Sequence, residues 1–402
     1  MAVNLTFNED LLPIAGVRLA TLNAGIRYKG RDDLLLLELA EGSSCAAVFT
    51  RNAFCAAPVI VSRENLAKAK PRYLLVNAGN ANAGTGEQGL AAAKACCMAL
   101  ATAGACAPEQ ILPFSTGVIG QPLPVEKIVA ALPSALASLK EDHWLAAAKA
   151  IMTTDTVGKA MSKQIEIGGQ QVTMTGIAKG AGMIHPNMAT MLSYVATDAQ
   201  VEANLLQTIL SEVVEETYNC ITIDGDTSTN DSLVLAATGR SGVVIDTSNR
   251  AIFQQAVQDL CMYLAQAIVR DGEGATKFIS VSVEGAKDRT EARVVGNTVA
   301  LSPLVKTAMF ASDPNWGRIL AAVGRSPIDA LDVNAVTLWL GDTLLIEKGQ
   351  PAPSYREELG QLEMKRDEIT VRIHLGRGSA SATTWTCDFS YDYVKINAEY
   401  RS

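Results

Sequence analysis

The sequence predicts a mixed α/β (α+β) protein, and three patterns carry that prediction. Short apolar runs at 34–39 (LLLLEL) and 45–50 (CAAVFT) read as buried strands. Residues 73–77 read as a strand that passes through an Asn- and Gly-rich loop, 77–86, into a helix over 87–102. Further helices follow at 203–218 and 251–270, the second carrying Phe253, Val257, Leu260, Leu264 and Ile268 along one side. With 402 residues, 48% of them hydrophobic and 19% charged, the chain is too long for one ordinary core, so two or three domains are expected.

The remaining elements follow in order. Residues 14–62 alternate apolar runs with turns, and 58–62 reads as another strand. Residues 111–120 (ILPFSTGVIG) read as a loop in which Ser115-Thr116-Gly117 can present consecutive backbone amides to an anion. Helical patterns cover 124–140, broken at Pro133, and 141–152, and they lead into the hydroxyl cluster Thr153-Thr154-Asp155-Thr156. A hairpin at 164–177 turns on Gly168-Gly169, and strand character returns at 191–196. Asp224, Asp226 and Asp231 superficially suggest a calcium loop, but the spacing is wrong and the bidentate Glu is absent. Glu273 lies between two glycines in a loop, placed to meet a cation or simply water. Strands at 336–340, 369–375 and 383–391 belong to a smaller C-terminal α/β unit that starts near 280.

Composition narrows the partners. A net charge of −8 argues against a nucleic-acid surface or an anionic membrane. Eight scattered cysteines without a CxxC pair point to reduced thiols and a cytoplasmic location. The N-terminus lacks the basic-then-apolar order of a signal peptide, and no uncharged apolar run is long enough to span a bilayer. Three histidines leave little material for a metal site, so no metal is expected; His143 reads as a surface or capping residue and His185 as a loop-shaping one.

The most distinctive stretch is Lys179-Gly-Ala-Gly-Met-Ile-His-Pro-Asn-Met-Ala-Thr-Met-Leu192. Its glycines and Pro186 make it a shaped loop. Within it, Thr190 follows the small Ala189. If the loop strains that peptide, the Thr190 hydroxyl can add to the Ala189 carbonyl, form an ester and be released by water as a new N-terminal threonine. An α-amine titrates near about 7.7–8.0 against about 10.4 for lysine, so a new N-terminus supplies its own base at neutral pH. The alternative is a Gly-rich turn entering a strand.

Together, Asn77–Asn82, Ser115–Gly120, Thr153–Thr156, Lys179–Leu192, Asp224–Asp231, Asp271–Thr276, Asp313–Arg318 and Ile396–Ser402 resemble, in order and across nearly the whole chain, the ornithine acetyltransferase (glutamate N-acetyltransferase) family. The resemblance implies a four-layer α/β/β/α sandwich of the self-processing aminopeptidase type. Residues 1–189 would form an α chain within it, 190–280 would begin the β chain and complete it, and 281–402 would form the smaller C-terminal domain. It implies cleavage between Ala189 and Thr190, Thr190 as the acetyl-carrying nucleophile, and Thr116 and Gly117 as oxyanion donors. Substrate contacts fall on Thr153, Lys179, Thr190, Glu273, Asn397 and Ser402; the last stands where the family ends in threonine, and it keeps a hydroxyl and a carboxylate.

The implied reaction passes an acetyl group from N-acetylornithine to glutamate. It needs no cofactor, although some members also take acetyl-coenzyme A as donor, and no phosphate motif here decides that point. The implied assembly is α2β2. Two rivals stand beside this reading: an N-terminal-threonine amidase or aminopeptidase with water as acceptor, and an uncleaved binding protein.

Overall fold

The computed structural model describes residues 2–6, 9–185 and 191–399. Two sheets form its centre. The first runs Val17–Leu22, Leu34–Leu39, Tyr73–Asn80, Ile111–Val118 in spatial order, with only the last pair parallel. The second runs Ser44–Phe49, Ser232–Ala237, Leu192–Thr197, Gln170–Lys179, Lys159–Ile167.

Strand alternation shows how the sheets stack. Successive side chains of a strand point to opposite faces. Leu35 and Leu37 share one core with Tyr194, Ala196, Val234 and Ala236 of the other sheet, and Phe114 meets Tyr194 edge-on across it with ring centroids 5.2 Å apart. The neighbours Leu34 and Leu36 face outward instead, into a core shared with Cys96 and Leu100 of helix Gly86–Ala103 and with Ile128 and Leu132 of helix Val125–Ala137. On the far side Val195, Leu233 and Leu235 pack against Leu206 and Ile209 of helix Ala203–Glu216 and against Leu260 and Leu264 of helix Arg250–Arg270. The order of layers is therefore helix, sheet, sheet, helix, as the resemblance implied. Strands covered on both faces read as continuous apolar runs, which is why 34–39 lacks a polar alternation.

Residues 278–387 build a six-stranded sheet in which Phe278–Ala286 lies between Glu368–His374 and Ala380–Cys387. Its core is a separate cluster that includes Val281, Val295, Ile319, Leu338 and Val371. The last helix, Tyr391–Ala398, leads back to the loop 271–276, where the Ser390 hydroxyl donates to the Gly274 carbonyl at 2.6 Å.

Four expectations are corrected. Residues 58–62 lie in a helix, Ala57–Leu66, because Pro58 occupies its first turn, where the missing N–H costs nothing; a short apolar run does not by itself separate strand from helix. The 111–120 segment is largely a strand, Ile111–Val118, rather than a loop. Helix Val125–Ala137 continues through Pro133, with Ile128, Leu132 and Ala135 holding its buried stripe together. The last strand stops at Cys387, and Tyr391 opens a helix capped by Ser390. Among the described residues no helix is long and apolar enough to cross a membrane.

Candidate active site

The strand ends of the two sheets meet around one cleft of about 280 Å³. In the second sheet Lys179 pairs with Leu192, and Leu192 pairs with Ser232, so the end of one strand and the starts of two others lie side by side. The first sheet contributes Thr116 and Gly117 from the end of Ile111–Val118. Thr116, Gly117, Thr153, Lys179, Glu273 and Asn397 all line this cleft. Ala189, Thr190 and Ser402 lie outside the described residues.

At the first-sheet side, Thr116 is buried and its hydroxyl accepts a hydrogen bond from the Lys179 ammonium at 3.2 Å. Gly117 has φ +132°, and a Cβ there would collide with the backbone of Gly79 and Asn80 on the neighbouring strand. This close approach coincides with a register shift between the two strands at Gly79 and Asn80. Asn230 secures the strand end: its side-chain amide donates to the carbonyls of Ala81, 2.6 Å, and Ser115, 2.9 Å. Burial pushes the Lys179 amine below its usual range, with the carboxylates of Asp155, Asp231 and Glu273 working against that shift.

Beneath Thr153 and Glu273 lies a buried charge cluster that the sequence reading did not identify. Lys159 donates to Asp155 at 2.7 Å and to Asp271 at 2.6 Å, and none of the three side chains is exposed by more than 1%. Asp155 also accepts from the amides of Thr153, 3.0 Å, and Gly180, 2.7 Å. Asp271 accepts from the Thr156 amide at 3.0 Å and from the Thr156 hydroxyl. One ammonium thus ties the Thr153 turn, the residue after Lys179 and the Glu273 loop into a single unit. The opposite end of that loop is held by Asp388, which accepts from the amides of Thr276, 2.8 Å, and Lys277, 2.9 Å.

Glu273 is buried, and its carboxylate accepts from the Asn397 side chain at 2.8 Å. A Cβ at Gly182 would overlap that carboxylate, so the loop leading to residues 186–190 packs backbone-first against Glu273. Asp224 holds the same loop, accepting from the amides of Met183, 2.6 Å, and Ile184, 2.9 Å. His185 faces the Thr222 hydroxyl at 3.3 Å, in keeping with a shaping role.

Other motifs turn inward on themselves. Asn77, Asn80, Asn82 and Thr85 bond within their own turn and to Gly89, and Asn77 accepts from the Ser115 hydroxyl while Asn80 donates to the Gln121 and Pro122 carbonyls, which makes that segment a structural corner. Asn315 caps helix Trp316–Gly324. Burial raises all eight cysteine thiols, those of Cys45, Cys96, Cys97 and Cys261 to about 12, so no thiolate competes for the role of nucleophile at neutral pH.

The chain is similar to proteins from several bacteria. The ArgJ family pattern matches residues 18–402. An arginine biosynthesis bifunctional protein ArgJ from Methylococcus capsulatus is 59% identical over 395 residues, covering 98% of this chain and 97% of the relative. The protein of that name from Pseudomonas fluorescens is 54% identical over 406 residues and covers both chains fully. The crystal structure of the Bacillus halodurans ArgJ protein superposes with a TM-score of 0.50 at 38% identity, covering 52% of this chain and 98% of that one. With a match from residue 18 to the last and relatives identical at more than half of their positions, the chain belongs to the ArgJ family.

Proposed function

We propose that the protein is a self-cleaving acetyltransferase of arginine biosynthesis. It moves the acetyl group of N-acetylornithine to glutamate through an ester on Thr190. The observation that carries this reading is the convergence of Thr116, Gly117, Thr153, Lys179, Glu273 and Asn397 on one cleft, flanked by Gly182–Ile184 and Met191 on either side of the cleavage segment. The names of the relatives support the pathway.

In the first half-reaction the Thr190 hydroxyl, assisted by its own α-amine, attacks the acetyl carbonyl. Thr116 and Gly117 hold the negative oxygen. Ornithine leaves, and the amine of glutamate takes the acetyl group from Thr190 in the second half. The two substrates share an α-carboxylate and end in opposite charges. Lys179 suits a carboxylate, while Glu273 suits the ornithine ammonium. Acetyl-coenzyme A serves as a second donor, a reading supported by the word bifunctional in the relatives' names. Cleavage gives chains 1–189 and 190–402, assembled as α2β2 in the cytoplasm, with residues 281–402 as the smaller domain.

The experiment uses wild-type protein on a denaturing gel alongside product analysis with acetylornithine, glutamate and water all present. Two bands near half of 42.5 kDa and acetylglutamate as main product are expected. Free acetate instead would make the protein an amidase. A single full-length band from active protein would remove self-cleavage altogether. For the substrate ends, Glu273→Gln is expected to raise KM for acetylornithine by at least tenfold, since a hydrogen bond to a charged group is worth about 1.5–3 kcal/mol; unchanged KM would detach Glu273 from the ammonium.

A further inference from the structure

A groove of about 520 Å³ opens beside the cleft and has no part in the reading above. It lies between the edge strand Ser44–Phe49, the loop 50–56 and the helices Ala57–Leu66 and Ala203–Glu216, and its lining includes Phe49, Arg51, Asn52, Cys55, Arg63 and Gln207. No Asp or Glu lines it. Arg51 and Arg63 are exposed, and neither makes an ion pair among the described residues, although the chain carries a net charge of −8. Arg63 donates to the Thr50 carbonyl at 3.4 Å, and its guanidinium carbon lies 5.6 Å from the centroid of the Phe49 ring. In the same loop Phe54 is 78% exposed, on a turn fixed by the Asn52 side chain, which accepts from the Phe54 amide at 2.9 Å.

The groove and the cleft share a wall. The Thr50 amide donates to the Asp231 carbonyl at 2.9 Å and the Ala56 amide to the Thr229 carbonyl at 2.9 Å, while the Thr50 hydroxyl donates to the Ser228 carbonyl at 2.8 Å. Ser228, Thr229 and Asp231 also line the cleft. Phe49 and Cys55 from the groove and Ile119 from the cleft pack against one small apolar cluster built on Ala56, Val59, Ala81 and Ala83. A cationic groove, an apolar stretch and the cleft therefore follow one another.

We propose that this groove binds the nucleotide end of acetyl-coenzyme A. The inference rests on the second-donor reading given above. A guanidinium presents a planar fork of donors that matches phosphate oxygens, and two of them without carboxylate partners suit a ligand carrying several phosphates. The exposed ring of Phe54 is a platform on which adenine stacks. The uncharged thioester arm crosses the apolar cluster and brings its acetyl group to the cleft. Over the reaction the bond from the acyl carbon to sulfur breaks and the bond to the glutamate nitrogen forms, and the proton lost by the amine goes to the sulfur. Acetylornithine has neither phosphate nor base, so the groove serves one donor and not the other. A site made of two arginines and a phenylalanine needs no glycine-rich loop, which is why the sequence shows no phosphate motif.

The test measures KM for acetyl-coenzyme A with glutamate as acceptor, and in parallel KM for acetylornithine, in the wild-type enzyme and in Arg51→Gln, Arg63→Gln and Phe54→Ala. Each arginine variant is expected to raise KM for acetyl-coenzyme A about tenfold or more, the scale of a lost hydrogen bond to a charged group. Phe54→Ala should raise it about fivefold or more, the scale of a lost base–aromatic stack. All three should keep the wild-type kcat and KM for acetylornithine. Adenosine 3′,5′-bisphosphate, which has base and phosphates but no thioester arm, should compete with acetyl-coenzyme A and not with acetylornithine, and inorganic phosphate should compete far more weakly. An unchanged KM for acetyl-coenzyme A in the arginine variants overturns the proposal. So does an equal rise in KM for acetylornithine, which would make the arginines structural, and so does equal inhibition by phosphate and bisphosphate, which would make the groove a general anion site. A wild-type enzyme that forms no acetylglutamate from acetyl-coenzyme A removes the second-donor reading, and this inference with it. One that forms it, with all three variants unaffected, removes this inference alone.

Discussion

Thr190→Ala is expected to give one uncut chain of 42.5 kDa with no measurable acetyl transfer. The expected loss is roughly 10⁶-fold in kcat, the scale seen when the serine of a hydrolytic triad is deleted. Two functions disappear together, since the same hydroxyl attacks the Ala189 carbonyl and later the acetyl carbonyl. The base disappears as well, because without cleavage no α-amine forms at residue 190. A lysine is a poor substitute at neutral pH, where well under about one in a thousand is free at an ordinary pKa of about 10.4. Thr190→Ser separates these parts. It keeps the hydroxyl and is expected to cleave and transfer, only more slowly, because it lacks the methyl that restricts χ1. Gel and transfer assay together check both variants. An Ala variant that stays whole yet transfers at the wild-type rate would falsify the whole reading.

Lys159→Met carries the largest expected cost in stability. Removing one member of a buried ion cluster leaves the others uncompensated, at about 3–5 kcal/mol. Here the loss strands both Asp155 and Asp271, which share that ammonium. The urea midpoint should fall with the slope unchanged. Transfer activity should fall with it under native conditions, because the Thr153 turn and the Glu273 loop lose their common tie. A Met variant with the wild-type midpoint would show that the cluster contributes no net stability.

The same cluster predicts a pH window. Burial alone would raise the Asp155 carboxyl, but Lys159, Lys179 and the Gly180 amide together hold it well below its ordinary 3.8. A depressed carboxylate contributes stability above its unfolded value and loses it as pH falls through the folded one. Burial alone would lower the Lys159 amine, but Asp155 and Asp271 hold it above its ordinary 10.5. Its contribution is complete below that value and is lost as pH rises through the folded one. The cluster therefore acts at full strength across the neutral range, and Lys159→Met should flatten the stability profile at both edges.

Much of the fold was legible because burial writes itself into residue type. The run at 34–39 carries the unbroken apolar character of a strand covered on both faces, and the hairpin at Gly168-Gly169 and the helix over 251–270 each carry a local period that survives into the folded chain. The stretch 58–62 was misread because Pro58 and two valines fit a strand as well as a helix's first turn. The Thr116-Gly117 pair was visible as a motif, yet its place at a strand end was not, because that depends on pairing with Gly79 on the adjacent strand.

The sequence by itself determined the layered α/β class and the family to which the chain belongs, since both are written in contiguous residues or in their order. Only the tertiary structure decided which groups share the cleft. Lys159 meets Asp271 across 112 positions, Asn230 reaches Ser115 across 115, and Asp231 lies level with Met191 only because two parallel strands share a register. Such encounters leave no local trace. A charge is stable inside the protein only beside a partner, and the fold, not the neighbouring sequence, supplies that partner.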